Sequence, residues 1–173
     1  MNAKLTTLIG MLLLLAGTVY YNQHQLPQNE EMQTETAQKK LEAFPDVAFA
    51  TPEGKTFHIG DIKEPTVLVH FWAAWCLPCH AELPQLVKYV KASHGKIALL
   101  SVSLDDDYEE SWKLLDKADA YGPHFYFAWD KNKALSLHSF GTVKVPETIA
   151  VNTQRMMEDK IIGPGPWGEA SGH

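Results

Sequence analysis

The sequence Trp75-Cys76-Leu77-Pro78-Cys79-His80 contains the only two cysteines of this 173-residue chain. An apolar run of strand length, Thr66–Trp72, precedes it, and a segment with apolar residues at helical spacing follows it. A cysteine at the first turn of a helix lies beside unpaired backbone amides, which favour a thiolate over a thiol. Because thiolates attack disulfides and thiols do not, this position predicts a redox-active pair with Cys76 as the reactive sulfur.

The overall composition narrows the classes of function. A net charge of −6, without a cluster of Lys or Arg, argues against nucleic acid as a partner, since phosphate binding needs a basic surface. Zinc is the rival explanation for the two cysteines, with His80 or His70 as a third ligand. A structural zinc site needs four ligands, and no second Cys or His pair has metal-ligand spacing. We therefore expect no metal, and no cofactor other than the Cys76–Cys79 disulfide.

The N-terminal segment indicates a membrane location. Leu5–Tyr21 is a run of uncharged residues behind Lys4, and a spanning helix needs about 17–25 mostly apolar residues. No convincing cleavage site follows, so we expect residues 1–21 to be an uncleaved, single-pass anchor in the inner membrane. The positive end then lies inside and the rest of the chain outside the cytoplasm. A cleaved signal peptide is the alternative. Residues 22–44 are polar and are expected to form a tether.

Strand and helix patterns alternate through residues 45–163, which predicts one folded domain followed by a flexible tail, 164–173. Two short extended runs flank Thr51-Pro52-Glu53-Gly54 and predict a hairpin. The predicted strands are Thr66–Trp72, Ile97–Leu104, Phe125–Trp129, Glu147–Val151 and Arg155–Ile162, and the predicted helices are Cys76–Ser93, Tyr108–Ala120 and Lys133–Phe140. Asp105 to Asp107 are expected to cap the second helix. This order predicts a mixed α/β sheet with helices on both faces.

Two motifs within this domain carry a family resemblance. The runs VLVHFWAAWCLPCHAELPQL and FGTVKVPETIAVN resemble the TlpA-like, membrane-anchored branch of the thioredoxin family, which includes periplasmic reductants of cytochrome c maturation. The resemblance covers residues 45–163 and implies a thioredoxin-like fold and thiol–disulfide oxidoreductase activity. It further implies that Cys76 attacks, that Cys79 resolves, and that Pro146 is the family's cis-proline facing the disulfide. The implied partners are disulfide-containing proteins outside the cytoplasm and a membrane electron donor.

The resemblance also implies a surface for the substrate. A cis Val145–Pro146 bond would turn the Val145 backbone outward, where it can pair with an extended segment beside the sulfur. Trp75 lies on the active-site surface in this family. Two features depart from the family pattern, since Lys144 stands where a glycine is common and no helix pattern follows the last strand.

Three further side chains are candidates for proton transfer or tuning. Glu82 is three residues after Cys79, faces the same side of the helix, and matches a functional glutamate of the TlpA-like proteins. A raised pKa would let Glu82 exchange the proton of Cys79, whereas a solvated surface glutamate is the alternative. His70 is either an acid or base or a core histidine bonded to backbone, and His80 either tunes the thiolate or points to solvent.

Several activities are compatible with these motifs. The favoured function is reduction of specific partner disulfides through a mixed disulfide on Cys76, a direction that rests on the family resemblance. A non-catalytic module that binds peptides or delivers copper on the same fold is the alternative. A peroxidase would need a reactive cysteine in a different motif, which the sequence lacks.

Overall fold

The structure is a computed structural model that describes residues 3–25 and 41–168. The chain divides into two compact units, Met1–Lys40 and Leu41–His173. In the first unit, helix α1 covers Ala3–Gln25, so the helix continues four residues beyond the predicted anchor and into the predicted tether. The remainder of that tether up to residue 40 lies outside the described residues. Within the described parts of the chain, no helix combines the length and the hydropathy needed to cross a membrane.

The second unit is built on a mixed sheet. In residues 41–168 its six strands are β1 Glu42–Ala43, β4 Thr66–Trp72, β5 Ile97–Ser103, β6 Phe125–Trp129, β7 Glu147–Val151 and β8 Met156–Ile162. Their order across the sheet is β1-β8-β7-β4-β5-β6. β4, β5 and β6 are parallel, whereas β7 runs antiparallel to β4, and β8 runs antiparallel to both β7 and β1. The predicted hairpin consists of β2, Ala48–Ala50, and β3, Thr56–His58, which pair antiparallel as a second, two-stranded sheet.

The helices cover both faces of this sheet, as predicted. They are α2 Leu77–Ala92, α3 Tyr108–Lys117 and α4 Ala134–Phe140, with a short 3-10 helix at Ile59–Asp61. Right-handed crossovers from β4 to β5 and from β5 to β6 place α2 and α3 on one face. That face carries Trp72, whose Nε1 donates to Ser101 Oγ at 2.6 Å. The opposite face carries Phe71, which packs on Phe140 of α4 with ring centroids 5.1 Å apart.

Both predicted ends of the folded domain are wrong. The domain begins before Pro45, because β1 pairs with β8 through Glu42 opposite Met157 and Phe44 is buried in the core. It also extends beyond residue 163, because Trp167 is buried at 8% exposure rather than lying in a flexible tail. Residues 169–173 lie outside the described residues. A two-residue edge strand and a Gly/Pro-rich segment carry no periodic pattern, so their contacts were not readable from the sequence.

Candidate active site

Cys76 and Cys79 form a disulfide at the start of α2. Cys76 is the N-cap residue with extended backbone, and its Sγ accepts a hydrogen bond from Cys79 N at 3.3 Å. Pro78 lies in the first turn of α2, where backbone N–H groups have no acceptor within the helix, so the N–H that proline lacks is not needed. Cys79 is fully buried, whereas Cys76 keeps 5% of its surface exposed. The helix terminus therefore stabilises negative charge on Cys76, while Cys79 is shielded from solvent.

The loop before the disulfide is anchored by Asp105, a residue whose role the sequence analysis missed. Ala74 N donates to both carboxylate oxygens of Asp105 at 2.9 and 2.8 Å, and Ser111 Oγ donates to one of them at 2.5 Å. The cap of α3 is instead Asp107, whose side chain accepts from Glu109 N. Asp105 follows β5 and the loop follows the adjacent parallel strand β4, so both lie at the same edge of the sheet. That adjacency was the available signal for this contact.

An apolar groove opens at Trp75, the residue that precedes Cys76. It has a volume of about 300 Å³ and is lined by Trp75, Leu104, Lys133, Ser136, Leu137, Thr142, Val143, Lys144 and Val145. Trp75 and Val143 are 67% and 87% exposed, so two large apolar side chains face solvent at its rim. The structure thus brings two of the predicted substrate-binding residues, Trp75 and Val145, to one groove.

The segment after this groove enters the sheet. The Val145–Pro146 peptide bond is cis, and Pro146 is buried. Pro146 O accepts a hydrogen bond from Gly163 N at 2.8 Å, which ties the start of β7 to the end of β8. The roles that the resemblance assigns to Val145 and Pro146 in substrate binding stay predictions.

Glu82 is buried at 3% exposure, so it is not a solvated surface glutamate. Its Oε1 accepts hydrogen bonds from Gly165 N at 2.9 Å and from Trp167 Nε1. Its Oε2 is buried without a hydrogen-bond partner in the described part of the chain. Burial raises the pKa of the Glu82 carboxyl, and the two hydrogen bonds lower it by less. Trp167 is a second contact that the sequence analysis missed, and its only signal was an isolated tryptophan among glycines and prolines.

His70 is fully buried on β4, on the same face of the sheet as Trp72. Its Nδ1 is 2.9 Å from Thr148 Oγ1, so its partner is a side chain rather than the backbone, and its Nε2 has no partner among the described residues. Burial lowers the pKa of His70 to about 3. Protonating this imidazole at pH 7 would therefore cost ~5 kcal/mol, which makes it a weak base.

His80 is exposed, and its Nε2 lies within hydrogen-bond distance of Ala74 O in the loop before Cys76. The side chain therefore contacts the active-site loop rather than pointing freely into solvent. Among the described residues, no group of three or more Cys, His, Asp or Glu side chains is arranged to hold a metal ion.

Comparisons with known proteins give a consistent result. The model of the AhpC/TSA family matches residues 41–160. The thioredoxin-like protein YneN of Bacillus subtilis is 26% identical over 153 residues, which cover 88% of this chain and 86% of YneN. The thiol:disulfide interchange protein HelX of Rhodobacter capsulatus is 28% identical over 155 residues, which cover 88% of this chain and 84% of HelX.

A solved structure extends the comparison to the fold. The thioredoxin domain of a thiol-disulfide oxidoreductase from Bacteroides vulgatus superposes with a TM-score of 0.61 at 25% identity. The superposition covers 73% of this chain and 90% of that domain. These similarities confirm the predicted thioredoxin-like α/β fold.

Proposed function

The chain belongs to the AhpC/TSA family and is a thiol–disulfide oxidoreductase, and on this premise we propose that it reduces partner-protein disulfides through a mixed disulfide on Cys76. The position of Cys76 as the N-cap of α2, bonded to a buried Cys79, carries this proposal. The resemblance to the TlpA-like branch supports reduction as the direction of the reaction.

In the proposed reaction, the Cys76 thiolate attacks one sulfur of a substrate disulfide. The substrate S–S bond breaks, its other sulfur leaves and takes up a proton, and Cys76 is joined to the substrate. Cys79 then loses its proton and attacks the Cys76 sulfur. The second substrate sulfur leaves as a thiol, and the Cys76–Cys79 disulfide closes. Two electrons have passed to the substrate, and an external dithiol donor must restore the reduced enzyme.

We propose that the Glu82 carboxylate accepts the proton that Cys79 loses. Both groups are buried on one side of α2, three residues apart, so they lie on neighbouring turns of the same helix face. A carboxyl with a raised pKa is a suitable acceptor near neutral pH, whereas the imidazole of His70, with a pKa of about 3, is too weak a base. In this scheme His70 acts as a neutral core residue.

The groove between Trp75 and Val145 is the proposed substrate site. Its apolar lining suits an extended, apolar segment that flanks the target cysteine, and the Val145 backbone supplies edge hydrogen bonds for that segment. We propose proteins outside the cytoplasm as the partners, with the Cys-x-x-Cys-His haem-attachment segment of c-type cytochromes as the candidate. The TlpA-like resemblance supports this candidate. Trapping with Cys79→Ala, followed by mass spectrometry of the bound chain, tests it.

The proposed location is the outer side of the inner membrane, with re-reduction by a membrane donor. The uncharged run Leu5–Tyr21 behind Lys4 supports a membrane-directed segment. Recovery of the intact chain in the membrane fraction after an alkaline wash, with the catalytic domain open to external protease, is the expected result. A soluble chain that begins beyond Tyr21 would contradict the anchor.

Insulin reduction by dithiothreitol tests the activity itself. The full chain should accelerate it, and Cys76→Ser should remove the acceleration, whereas Cys79→Ser should accumulate a mixed disulfide on Cys76. Equal rates for wild type and Cys76→Ser would refute the proposal. Equilibration with glutathione buffers tests the direction, since a reductant should lie nearer −270 mV than −120 mV, the approximate limits for this fold.

A further inference from the structure

Residues 163–168, here called the C-terminal strap, lie across α2, although the sequence predicted a flexible tail from residue 164 onward. Gly163 N donates to Pro146 O at 2.8 Å, and Gly165 N donates to Glu82 Oε1 at 2.9 Å. Trp167 Nε1 donates to the same oxygen, and the Trp167 ring packs on Tyr89 of α2 with centroids 5.4 Å apart. The strap therefore joins the Pro146 segment to the buried carboxyl of the active-site helix.

The strap depends on glycine at two positions. Gly163 has a φ of +94°, a backbone conformation that L side chains rarely adopt, and this residue turns the chain away from β8. A Cβ on Gly165 would lie 2.5 Å from the indole ring of Trp167, so only glycine lets that ring fold back over its own backbone. The two glycines thus allow the Trp167 indole N–H to reach Glu82.

The contacts of the strap make the two oxygens of Glu82 unequal. Oε1 accepts two N–H donors, whereas Oε2 is buried and has no partner in the described part of the chain. Two N–H donors occupy both lone pairs of Oε1 and hold that oxygen in place, which leaves Oε2 as the atom that can take up or release a proton. A buried oxygen without a hydrogen-bond partner destabilises the fold, and a role in proton exchange would explain why Oε2 is left unpaired.

No charged side chain is among the causes that shift the pKa of the Glu82 carboxyl. Cys79 and Tyr89 lie three and seven residues from Glu82 on the same side of α2, and the sheet face beneath α2 carries His70, which burial keeps neutral. On the side of α3, Lys117 and His80 border a separate pocket beside Leu83. The strap contains only Gly, Pro and Trp and so adds no charge. Burial and the two strap hydrogen bonds are therefore the causes that set the pKa of Glu82.

We propose that Trp167 is a positioning residue for the thiol–disulfide reaction, which holds the Glu82 carboxyl with Oε2 available to exchange the proton of Cys79. This inference rests on the proposed role of Glu82 as the proton acceptor. The strap also excludes water from the carboxyl, so Trp167 has two opposing effects. Its N–H favours the carboxylate, and the burial that its ring provides favours the neutral acid.

Because of these opposing effects, two variants of the strap should shift the pKa of the Glu82 carboxyl in opposite directions. Trp167→Phe removes the N–H donor and keeps a ring against Tyr89, so the midpoint of the Glu82 carboxyl titration, followed by its ¹³C shift, should rise by about one pH unit. Termination of the chain after Gly163 exposes the carboxyl to water, and the midpoint should fall. Trp112→Phe, the same change at a half-exposed tryptophan of α3, is the matched control and should leave the midpoint unchanged.

The chemical step is read with 5,5′-dithiobis(2-nitrobenzoate) on the reduced full chain. The first release of thionitrobenzoate reports the attack by Cys76, and the second reports the attack by Cys79 on the mixed disulfide. The pH midpoint of the second phase should shift upward in Trp167→Phe in parallel with the carboxyl. Should this variant fold poorly, the wild-type Trp167 Nε1–H resonance should still titrate with the Glu82 midpoint.

The outcomes separate the two proposals. If Trp167→Phe leaves the carboxyl midpoint unchanged or lowers it, or if the Nε1–H resonance does not follow the carboxyl, the positioning role is overturned. Glu82→Gln independently tests the proton acceptor, since it should abolish the pH dependence of the second phase that Glu82 causes. A second phase that is unaltered in Glu82→Gln would refute the acceptor role, whatever Trp167 does to the carboxyl.

Discussion

The two sulfurs of one disulfide lie in contrasting surroundings. Cys76 is at the helix terminus, next to the exposed Trp75 that lines the apolar groove proposed as the substrate site. Cys79, three residues later, is fully buried on the side of α2 that carries Glu82. In the proposed reaction, less than one helical turn therefore separates the thiol that attacks the substrate from the thiol whose proton has to move inside the protein. Recognition and proton transfer can then be altered independently, which the following predictions exploit.

The largest expected difference is in thiol reactivity. After reduction, iodoacetamide at pH 6 should label Cys76 about 1,000-fold faster than Cys79, because the helix terminus favours the thiolate at Cys76 and burial disfavours it at Cys79. Peptide mass spectrometry of the labelled chain measures both rates. Cys76→Ser, which retains only Cys79, should react slowly, and preferential labelling of Cys79 in the wild type would reverse the assignment.

Glu82→Gln should separate the two steps by about 100-fold. The attack by Cys79 loses its proton acceptor and should slow by that factor at pH 7, a typical contribution of general base catalysis. The first attack by Cys76 should remain within twofold of the wild type, because Cys76 reacts as a preformed thiolate. Stopped-flow measurement of the two phases checks this, with the exposed Glu109→Gln as control. Equal slowing of both phases would show that Glu82 affects the attack by Cys76 as much as the attack by Cys79, and the two steps would then not be independent.

The buried residue His70 should cause part of the loss of folding stability at low pH. Burial lowers the pKa of His70 to about 3, so between pH 6.5 and 3 the unfolded chain binds a proton that the folded chain does not. Stability from this group is complete above pH 6.5 and is lost as the pH falls, by ~2 kcal/mol at pH 5. Urea unfolding at pH 7.5 and pH 5 should therefore show a smaller loss in His70→Asn. The exposed His138→Asn should retain the wild-type loss, and an equal loss in His70→Asn would be inconsistent with a neutral buried imidazole.

Continuous patterns in the sequence were sufficient for most of the fold. The apolar run Thr66–Trp72 and the strands Phe125–Trp129 and Glu147–Val151 have the bounds that the sequence predicted. Thr66–Trp72 is buried in the middle of the sheet, where strands are almost continuously apolar, so its ends coincide with the ends of the apolar run. The two-residue strand Glu42–Ala43 has no such pattern, because its position depends only on pairing with β8.

The site was predictable where its chemistry is local. The N-cap position of Cys76 and the burial of Cys79 follow from a CxxC pair at a strand–helix junction. The contacts of Asp105 with Ala74 and of Trp167 with Glu82 join residues 31 and 85 positions apart. Such contacts form only after the chain has folded back, and neither a carboxylate in an acidic run nor a tryptophan in a Gly/Pro segment specifies its partner in advance.

The smallest expected effect tests the substrate-facing half alone. Trp75→Ala removes a 67% exposed indole from the rim of the groove, so its loss should cost little stability. The KM for a peptide disulfide with apolar residues beside its cysteine should rise about threefold to tenfold, because a contact with an exposed side chain contributes less than the roughly tenfold minimum of a contact in an enclosed pocket. The kcat should change by less than twofold, since Cys79 and Glu82 are untouched. A peptide with charged residues at the same positions is the control, and its KM should respond less. If kcat falls while KM is unchanged, Trp75 takes part in the chemical step and the division between the two halves of the site does not hold.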